Sequence, residues 1–288
     1  MALRSIEKRF GSVIALAGVD FDVDAGEVVA LVGDNGAGKS TLAKIISVAC
    51  QADEGTILFE GRAVRLGSPE AANGLGISAV YQDLALCENL DVVANLFLGR
   101  ERGVTALPPP VRPLAEDEME REARAVLRGL VVKLPSLRRP VSTLSGGQRQ
   151  AVAVGRAVLW GSKVVLLDEP TAALGVQQTA MVLQLVRQLR DRDLAVVFIS
   201  HNLVDVFGVA DRITVLRLGK HVTTFDRNAV TPRLSRVPPI FLRSSHESKQ
   251  LPGNAKACVH ILSYPERRAR ALASTSGFGA DRNSISNG

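Results

Sequence analysis

The chain has 288 residues, of which 46% are hydrophobic, which is enough for one large domain or two small ones with a globular core. Its formal net charge of +6 comes from residues 231–288, since residues 1–230 hold 26 basic and 26 acidic side chains, so the charge is weak evidence for a nucleic-acid partner. No run of about 18 uncharged apolar residues predicts a membrane span, and three widely separated cysteines exclude a disulfide framework or a zinc finger.

The first 30 residues read as short strands separated by turns. Residues 19–24 alternate apolar and acidic side chains, which is the period of a half-buried strand. Phe10 precedes them and lies 29 residues before Lys39. Two interpretations of Phe10 stand: an ordinary core residue, or a face on which adenine stacks.

A glycine-rich loop follows the apolar run at residues 28–32 and precedes a helix-like segment at residues 42–46. From Gly33 to Ser40 the sequence reads G-x-x-x-x-G-K-S, in the strand, loop and helix context in which this motif binds phosphate. The glycines let backbone N–H groups close around a polyphosphate, and the helix N-terminus adds partial positive charge. Lys39 can then reach the β- and γ-phosphates, and the Ser40 hydroxyl can bind Mg²⁺.

The middle of the chain carries weaker signals. An apolar strand at residues 76–81 ends on Gln82, at the ligand-facing edge of an α/β sheet, although taken alone Gln82 reads as a surface loop residue. The proline-rich residues 104–113 read as a stiff exposed connection, and residues 116–129 as an amphipathic helix. Ser145 fits the N-cap of a further helix, which begins with a Ser-Gly-Gly-Gln sequence that is unspecific by itself.

The segment at residues 163–170 is more informative. Four apolar residues predict a strand that is buried on both faces, and two adjacent carboxylates, Asp168 and Glu169, stand at its end. Their charge is costly there unless a cation compensates it; Mg²⁺ bound to ATP would do so for Asp168, and Glu169 could then orient and deprotonate a water molecule. The strand at residues 194–199 brings His201 to the same edge, which favours a γ-phosphate sensor.

Together these motifs resemble an ATP-binding-cassette (ABC) ATPase over about residues 3–227, and within that family the single-cassette simple-sugar importers of the ribose, xylose and fructose type. The matching motifs stand in the family's order at Phe10, residues 33–41, Gln82, residues 144–148, residues 166–170 and His201. The likeness to sugar importers comes from residues 33–41, 81–86, 96–101 and 171–179.

The resemblance implies an α/β fold with a P-loop NTPase (RecA-like) core, an N-terminal antiparallel β subdomain and an α-helical ABC subdomain at about residues 83–160, all within an ATPase domain at residues 1–230. It implies ATP and Mg²⁺ as cofactors. The residues implied to bind ATP are Phe10, Gly33, Asp34, Asn35, Gly36, Ala37, Gly38, Lys39, Ser40, Thr41, Ser145, Gly146, Gly147 and Gln148. The implied catalytic residues are Lys39, Gln82, Glu169 and His201, and the implied metal ligands are Ser40, Gln82 and Asp168.

The resemblance also implies partners. It indicates a head-to-tail homodimer with two ATP molecules between the protomers, transmembrane permease subunits, and a periplasmic or extracellular sugar-binding protein reached through the complex. The chain is then expected at the cytoplasmic face of the membrane as a peripheral protein, without a nucleic-acid partner. The alternatives are a soluble ABC ATPase of DNA repair or translation, which usually carries coiled-coil insertions or two cassettes, and a non-catalytic nucleotide switch.

Two features depart from the family pattern. Gly175 stands four residues after Thr171, where the family usually has Asp. Residues 231–288 no longer resemble the family, and their composition predicts a disordered tail. We interpret this tail as a shifted reading frame or a non-native extension, and the alternative is a basic arm for anionic lipid or nucleic acid.

Overall fold

The computed structural model describes residues 1–65, 67–104, 113–130, 132 and 134–227. The predicted tail at residues 231–288 lies outside the described residues, as does most of the predicted proline-rich connection, at residues 105–112. Within the described part of the chain, no helix combines the length and the apolar character that crossing a bilayer requires.

The described residues form ten strands and seven helices. The strands are β1 Ala2–Phe10, β2 Val13–Asp22, β3 Val28–Val32, β4 Glu54–Phe59, β5 Arg62–Val64, β6 Ile77–Val80, β7 Val164–Asp168, β8 Ala195–Ile199, β9 Arg212–Arg217 and β10 Lys220–Asp226. The helices are α1 Lys39–Ile46, α2 Pro69–Gly74, α3 Val92–Phe97, α4 Glu116–Gly129, α5 Gly146–Leu159, α6 Val176–Arg190 and α7 Leu203–Val209, and a 3₁₀ turn spans Val141–Thr143.

The larger sheet has six strands in the order β10-β9-β3-β8-β7-β6. Strands β9, β3, β8, β7 and β6 run parallel, and β10 returns antiparallel to β9. Alternate residues of β3 enter different cores: Val28 and Ala30 pack with residues of α5, α6 and α7, whereas Val29 and Leu31 pack with α1 and the smaller sheet. Because both faces are covered, these strands are apolar throughout, which confirms the predicted α/β class.

The smaller sheet is antiparallel, in the order β2-β1-β4-β5. It lies against the glycine-rich loop at residues 33–38, the phosphate loop. The predicted alternating strand at residues 19–24 is largely the second half of the long strand β2. The N–H of Ala17 donates to the carbonyl oxygen of Gly219 at 2.8 Å, and the N–H of Gly219 donates to the carbonyl oxygen of Ala37 at 3.0 Å. The turn between β9 and β10 therefore joins this sheet to the loop.

Helices α3, α4 and α5 surround a third apolar core that includes Phe97, Leu127 and Val152. Helix α4 spans the residues predicted for it. Gly155 has a packing role in this layer, because a Cβ there would lie 3.1 Å from the Leu127 side chain. The ring of Trp160 meets that of Phe97 edge to face, with 5.5 Å between the centroids.

Arg212 is the first residue of β9 in the larger sheet, and its side chain contacts Asp22 at the end of β2. Its Nη1 and Nη2 donate to Asp22 Oδ2 at 2.9 Å each, and its Nε and Nη2 donate to the two carboxylate oxygens of Glu27. The hydrogen bonds that Arg212 donates to Glu27 and, to a smaller extent, to Asp22 raise its pKa, so the guanidinium stays charged. Most of the Arg212 side chain is shielded from solvent, which makes this contact stronger than an exposed ion pair.

We predict that Arg212→Gln lowers the free energy of unfolding by about 1.5–3 kcal/mol, the usual contribution of hydrogen bonds to charged groups. The control is Arg4→Gln, which removes a 3.6 Å contact with Asp22 between two exposed side chains and should cost at most about 1 kcal/mol. Urea denaturation followed by circular dichroism measures both. Equal losses in the two variants would contradict a special role for Arg212.

Candidate active site

The carboxyl ends of four neighbouring parallel strands, β3, β8, β7 and β6, meet along one edge of the larger sheet. In that order they lead to residues 33–38, Ser200 and His201, Asp168 and Glu169, and Gln82. Leu31 of β3 and Asp168 of β7 both lie opposite Ile199 of the intervening strand β8. Ligands of open parallel sheets bind beyond such an edge, so the register alone brings the predicted motifs to one place.

Close packing requires glycine at two positions of the phosphate loop. Gly38, which precedes α1, has φ 101°, and a Cβ there would lie 2.7 Å from Leu16 Cδ2 and 2.8 Å from the carbonyl oxygen of Ala15. A Cβ on Gly33 would overlap the carbonyl oxygen of Leu216. The loop is thus held between β2 and β9, with its backbone available to a ligand.

The outer part of the loop is exposed at Asp34, Asn35 and Gly36, and Ala37 turns inward and is buried. The N–H of Ala37 donates to the carbonyl oxygen of Asp34 at 3.0 Å, which closes the turn. The predicted ATP-binding residues of this segment therefore form one continuous rim in front of α1.

Lys39 is the first residue of α1, and its ammonium group lies over the loop. Its Nζ donates to the carbonyl oxygens of Gly33 at 2.7 Å and of Asp34 at 3.0 Å. Ser40, which is exposed, and Thr41, which is half-buried, follow in the same helical turn. The arrangement places a cation, a hydroxyl group and the positive end of a helix at the mouth of the loop.

Asp168 is the last residue of β7 and is half-buried. Burial raises the pKa of its carboxyl group above the usual value, the neighbouring Glu169 carboxylate raises it further, and Lys39 and Lys44 lower it. The described residues contain no set of three or more His, Cys, Asp or Glu side chains that could hold a metal by themselves. One carboxylate, one serine hydroxyl and phosphate oxygens do fit Mg²⁺ that arrives with a nucleotide.

Glu169 directs a carboxylate oxygen toward His201. Its backbone is left-handed, with φ 50°, and its N–H donates to the carbonyl oxygen of Ile199 at 2.9 Å. Its Oε2 lies 2.7 Å from His201 Nδ1, which is ion-pair distance, but the ring N–H is not aligned with it, so this buried oxygen has no hydrogen-bond donor among the described residues. The His201 side chain is 72% exposed. A buried acceptor without a donor beside an open imidazole fits a site for a water molecule.

Phe10 and Gln82 are both exposed. The Phe10 side chain is 52% exposed, so the core interpretation is wrong, and stacking on adenine stays a prediction. Gln82 lies in the loop after β6. The first residue of this loop, Tyr81, is held by a 2.6 Å hydrogen bond between its hydroxyl group and that of Ser47. Ser47 follows α1 directly, so this contact links the Gln82 loop to helix α1.

Ser145 is the N-cap of α5, as predicted. The N–H of Gln148 donates to Ser145 Oγ, and the Ser145 N–H donates to Gln148 Oε1 at 3.0 Å. Gly146 and Gly147 face α6 and the loop before it, where added Cβ atoms would lie 2.7 Å from Leu174 and 2.6 Å from Met181. These four residues lie in the helical layer, beside α6 and not on the sheet edge.

Thr171 and Asp205 were missed by sequence reasoning. Thr171 Oγ1 donates to Asp205 Oδ2 at 2.7 Å, and both residues are buried. Burial raises the pKa of Asp205, and the hydrogen bond from Thr171 opposes that rise. The available signal was a single carboxylate inside the otherwise uncharged apolar segment Leu203–Val209.

Comparison with known proteins agrees with this geometry. The family described as ABC transporter matches residues 16–172, which include the phosphate loop, Gln82, residues 144–148, Asp168 and Glu169. The chain is 48% identical over 224 residues to the fructose import ATP-binding protein FrcA of Rhizobium meliloti, covering 77% of this chain and 86% of that protein. The chain belongs to the ABC transporter family.

Two further similarities concern the same region. The chain is 47% identical over 220 residues to the xylose/arabinose import ATP-binding protein XylG of Sulfolobus acidocaldarius, covering 76% of this chain and 85% of that protein. A crystal structure of an ATP-binding cassette of an ABC transporter in its ADP conformation superposes with a TM-score of 0.70 at 27% identity, covering 81% of this chain and 95% of that one. The ABC cassette fold expected from the motifs is confirmed.

We predict that Gly38→Ala weakens ATP binding at least about tenfold, since the new methyl group meets the Ala15 backbone and φ at this position is 101°. Gly74→Ala is the matched control, because a Cβ at Gly74 meets no atom within 4 Å. Titration with a fluorescent ATP analogue measures both affinities. Unchanged affinity in Gly38→Ala would mean that the loop does not hold the nucleotide as described.

Proposed function

We propose that this chain is the ATP-binding and ATP-hydrolysing subunit of an ABC importer, which energises uptake of a simple sugar through a separate permease. The observation that carries the proposal is the convergence of the phosphate loop, Asp168, Glu169 and His201 on one sheet edge. The names of the relatives support the substrate class, because both are import ATP-binding proteins for sugars.

The phosphate loop and Lys39 bind the nucleotide in this mechanism. Backbone N–H groups of the loop and the α1 N-terminus face the phosphates, and Lys39 exchanges its two carbonyl acceptors for phosphate oxygens. Ser40 and Asp168 would hold Mg²⁺, with Gln82 reaching the metal and the attacking water from its loop. When bound, Mg²⁺ neutralises negative charge on the β- and γ-phosphates.

Glu169 and His201 act on the water and the γ-phosphate. The Glu169 oxygen that lacks a donor accepts a hydrogen bond from the attacking water and then takes its proton. The exposed imidazole of His201 donates to the γ-phosphate, and its Nδ1 lies 2.7 Å from Oε2 of Glu169, so the two side chains act at adjacent points of the site. The ends of strands β7 and β8 fix the backbone positions of both residues before the substrate arrives.

The helix cap of α5 completes the site in a head-to-tail homodimer. Ser145, Gly146, Gly147 and Gln148 of one protomer would contact the γ-phosphate held by Lys39 of the other, and Phe10 would stack on adenine. Gly175, the N-cap of α6, offers no side chain there, so any contact across the dimer at this position uses the backbone. We assign residues 1–230 to one ATPase domain, with a helical subdomain at about 83–160 supported by the shared core of α3, α4 and α5.

The proposed partners are the permease subunits and, through them, a sugar-binding protein outside the membrane. We therefore propose that the chain is a peripheral protein on the cytoplasmic face of the membrane. Purification of the tagged full chain from mildly solubilised membranes of its host tests this assignment. A polytopic permease in the eluate is expected. Recovery of ribosomes or DNA instead would contradict the importer and favour a soluble ABC ATPase of translation or repair.

We predict that Glu169→Gln binds ATP with Mg²⁺ as tightly as the natural chain and loses about 10²- to 10⁴-fold in kcat, because the amide cannot accept the proton. Glu60→Gln is the control, since Glu60 contacts only Lys163 among its described ionic partners, on the exposed surface, and should keep full turnover. A phosphate-release assay measures kcat. Hydrolysis at the natural rate in Glu169→Gln would remove Glu169 from the proton-accepting role.

A further inference from the structure

The segment that carries Glu169 needs an anchor. Both Glu169 and Ala173 have left-handed backbones, with φ 50° and 61°, which residues other than glycine adopt only when their surroundings hold them there. Within the segment, the N–H of Ala172 donates to the carbonyl oxygen of Glu169 at 3.1 Å. This bond fixes the shape of the turn, and the bond from the Glu169 N–H to the carbonyl oxygen of Ile199 ties its first residue to β8.

Thr171 supplies a contact from this segment to another element. Its hydroxyl group donates to Asp205 Oδ2 at 2.7 Å, and the two side chains are almost fully enclosed. A hydrogen bond to a buried carboxylate is short and strong, and it is sensitive to the loss of either partner. Thr171 lies two residues after Glu169, so the bond acts close to the catalytic carboxylate.

Asp205 lies on the element that follows His201. Its helix, α7, begins two residues after His201, and its first turn is closed by Asn202, whose side chain accepts from the N–H of Val204 at 3.0 Å. The N–H of Asn202 in turn donates to Ser200 Oγ at 3.0 Å. The backbone on the far side of His201 is therefore fixed relative to Asp205.

We propose that Thr171 and Asp205 are positioning residues that set the distance between Glu169 and His201. The bond ties the segment after Glu169 to the helix after His201, while the backbone bond from Glu169 to Ile199 ties the two strand ends. Together the two bonds hold the backbone on both sides of the 2.7 Å contact between Glu169 Oε2 and His201 Nδ1. The inference rests on the proposed ATPase function, in which Glu169 acts on the water and His201 on the γ-phosphate, so that their separation affects turnover.

The test uses Thr171→Val in the full chain, which removes the hydroxyl group and keeps the shape. We expect kcat to fall at least tenfold while KM for ATP stays within about twofold, and Thr171→Ser to restore kcat to within about threefold. Thr143→Val is the matched control, since Thr143 Oγ1 donates to the carbonyl oxygen of Pro140 at an exposed turn. A natural kcat in Thr171→Val would overturn the proposal.

A double variant separates positioning from stability. The double variant Thr171→Val, Asp205→Leu no longer has the buried carboxylate. Its urea midpoint should therefore rise again, at least in part, from the lower value expected for Thr171→Val, while kcat stays low. Recovery of kcat together with the midpoint would show a purely structural role and overturn the proposal. If Thr171→Val does not fold, this double variant still gives the kcat that decides.

The ¹⁵N chemical shifts of the His201 ring give a readout that does not depend on hydrolysis. They should change in Thr171→Val and return in Thr171→Ser. Shifts that respond in this way in a chain without ATPase activity would contradict the proposed function and leave the positioning role standing. Shifts that are identical in all three proteins would contradict the positioning role itself.

Discussion

The parallel register of β3, β8 and β7 is the constraint on which the rest of this molecule depends. Strand β8 lies between the other two and is buried along its whole length, so it can be built only from apolar residues that face two cores. Its last residue, Ile199, lies opposite both Leu31 and Asp168. Shifting either neighbour by one residue would exchange the faces of that strand and move its motif away from the edge. Core packing and site assembly are therefore one requirement.

The edge concentrates charge, and the surrounding structure compensates for it. Two adjacent carboxylates lie at the end of a buried strand, one with its pKa raised by burial and the other in a left-handed backbone. Lys39 and the N-terminus of α1 face them from the phosphate loop, and a bound cation would complete the balance. Such an arrangement suits the proposed substrate, ATP with Mg²⁺, because that substrate would bring both negative phosphates and a cation.

Local sequence patterns predicted much of this structure, and contacts between distant residues lay beyond them. The phosphate loop, the Ser145 cap and helix α4 depend on spacings of a few residues, which a single sequence displays. The Arg212 contact with Asp22 joins residues 190 positions apart, and the bond between Thr171 and Asp205 joins residues 34 positions apart, so neither has a local pattern. The exposure of Phe10 likewise depended on how the first hairpin packs, and periodicity left both of its interpretations open.

The proposal that this chain energises sugar uptake is tested most directly by measuring the uptake of labelled fructose and xylose in host cells that lack this chain. We expect that uptake of at least one sugar is lost, that the natural chain restores it, and that Lys39→Ala does not, because this variant lacks the ammonium group at the phosphate loop. The amount of the chain is measured in each strain, so that differences in uptake can be separated from differences in expression. Restoration of uptake by Lys39→Ala, or unchanged uptake of a full panel of pentoses and hexoses in cells without the chain, would contradict the account.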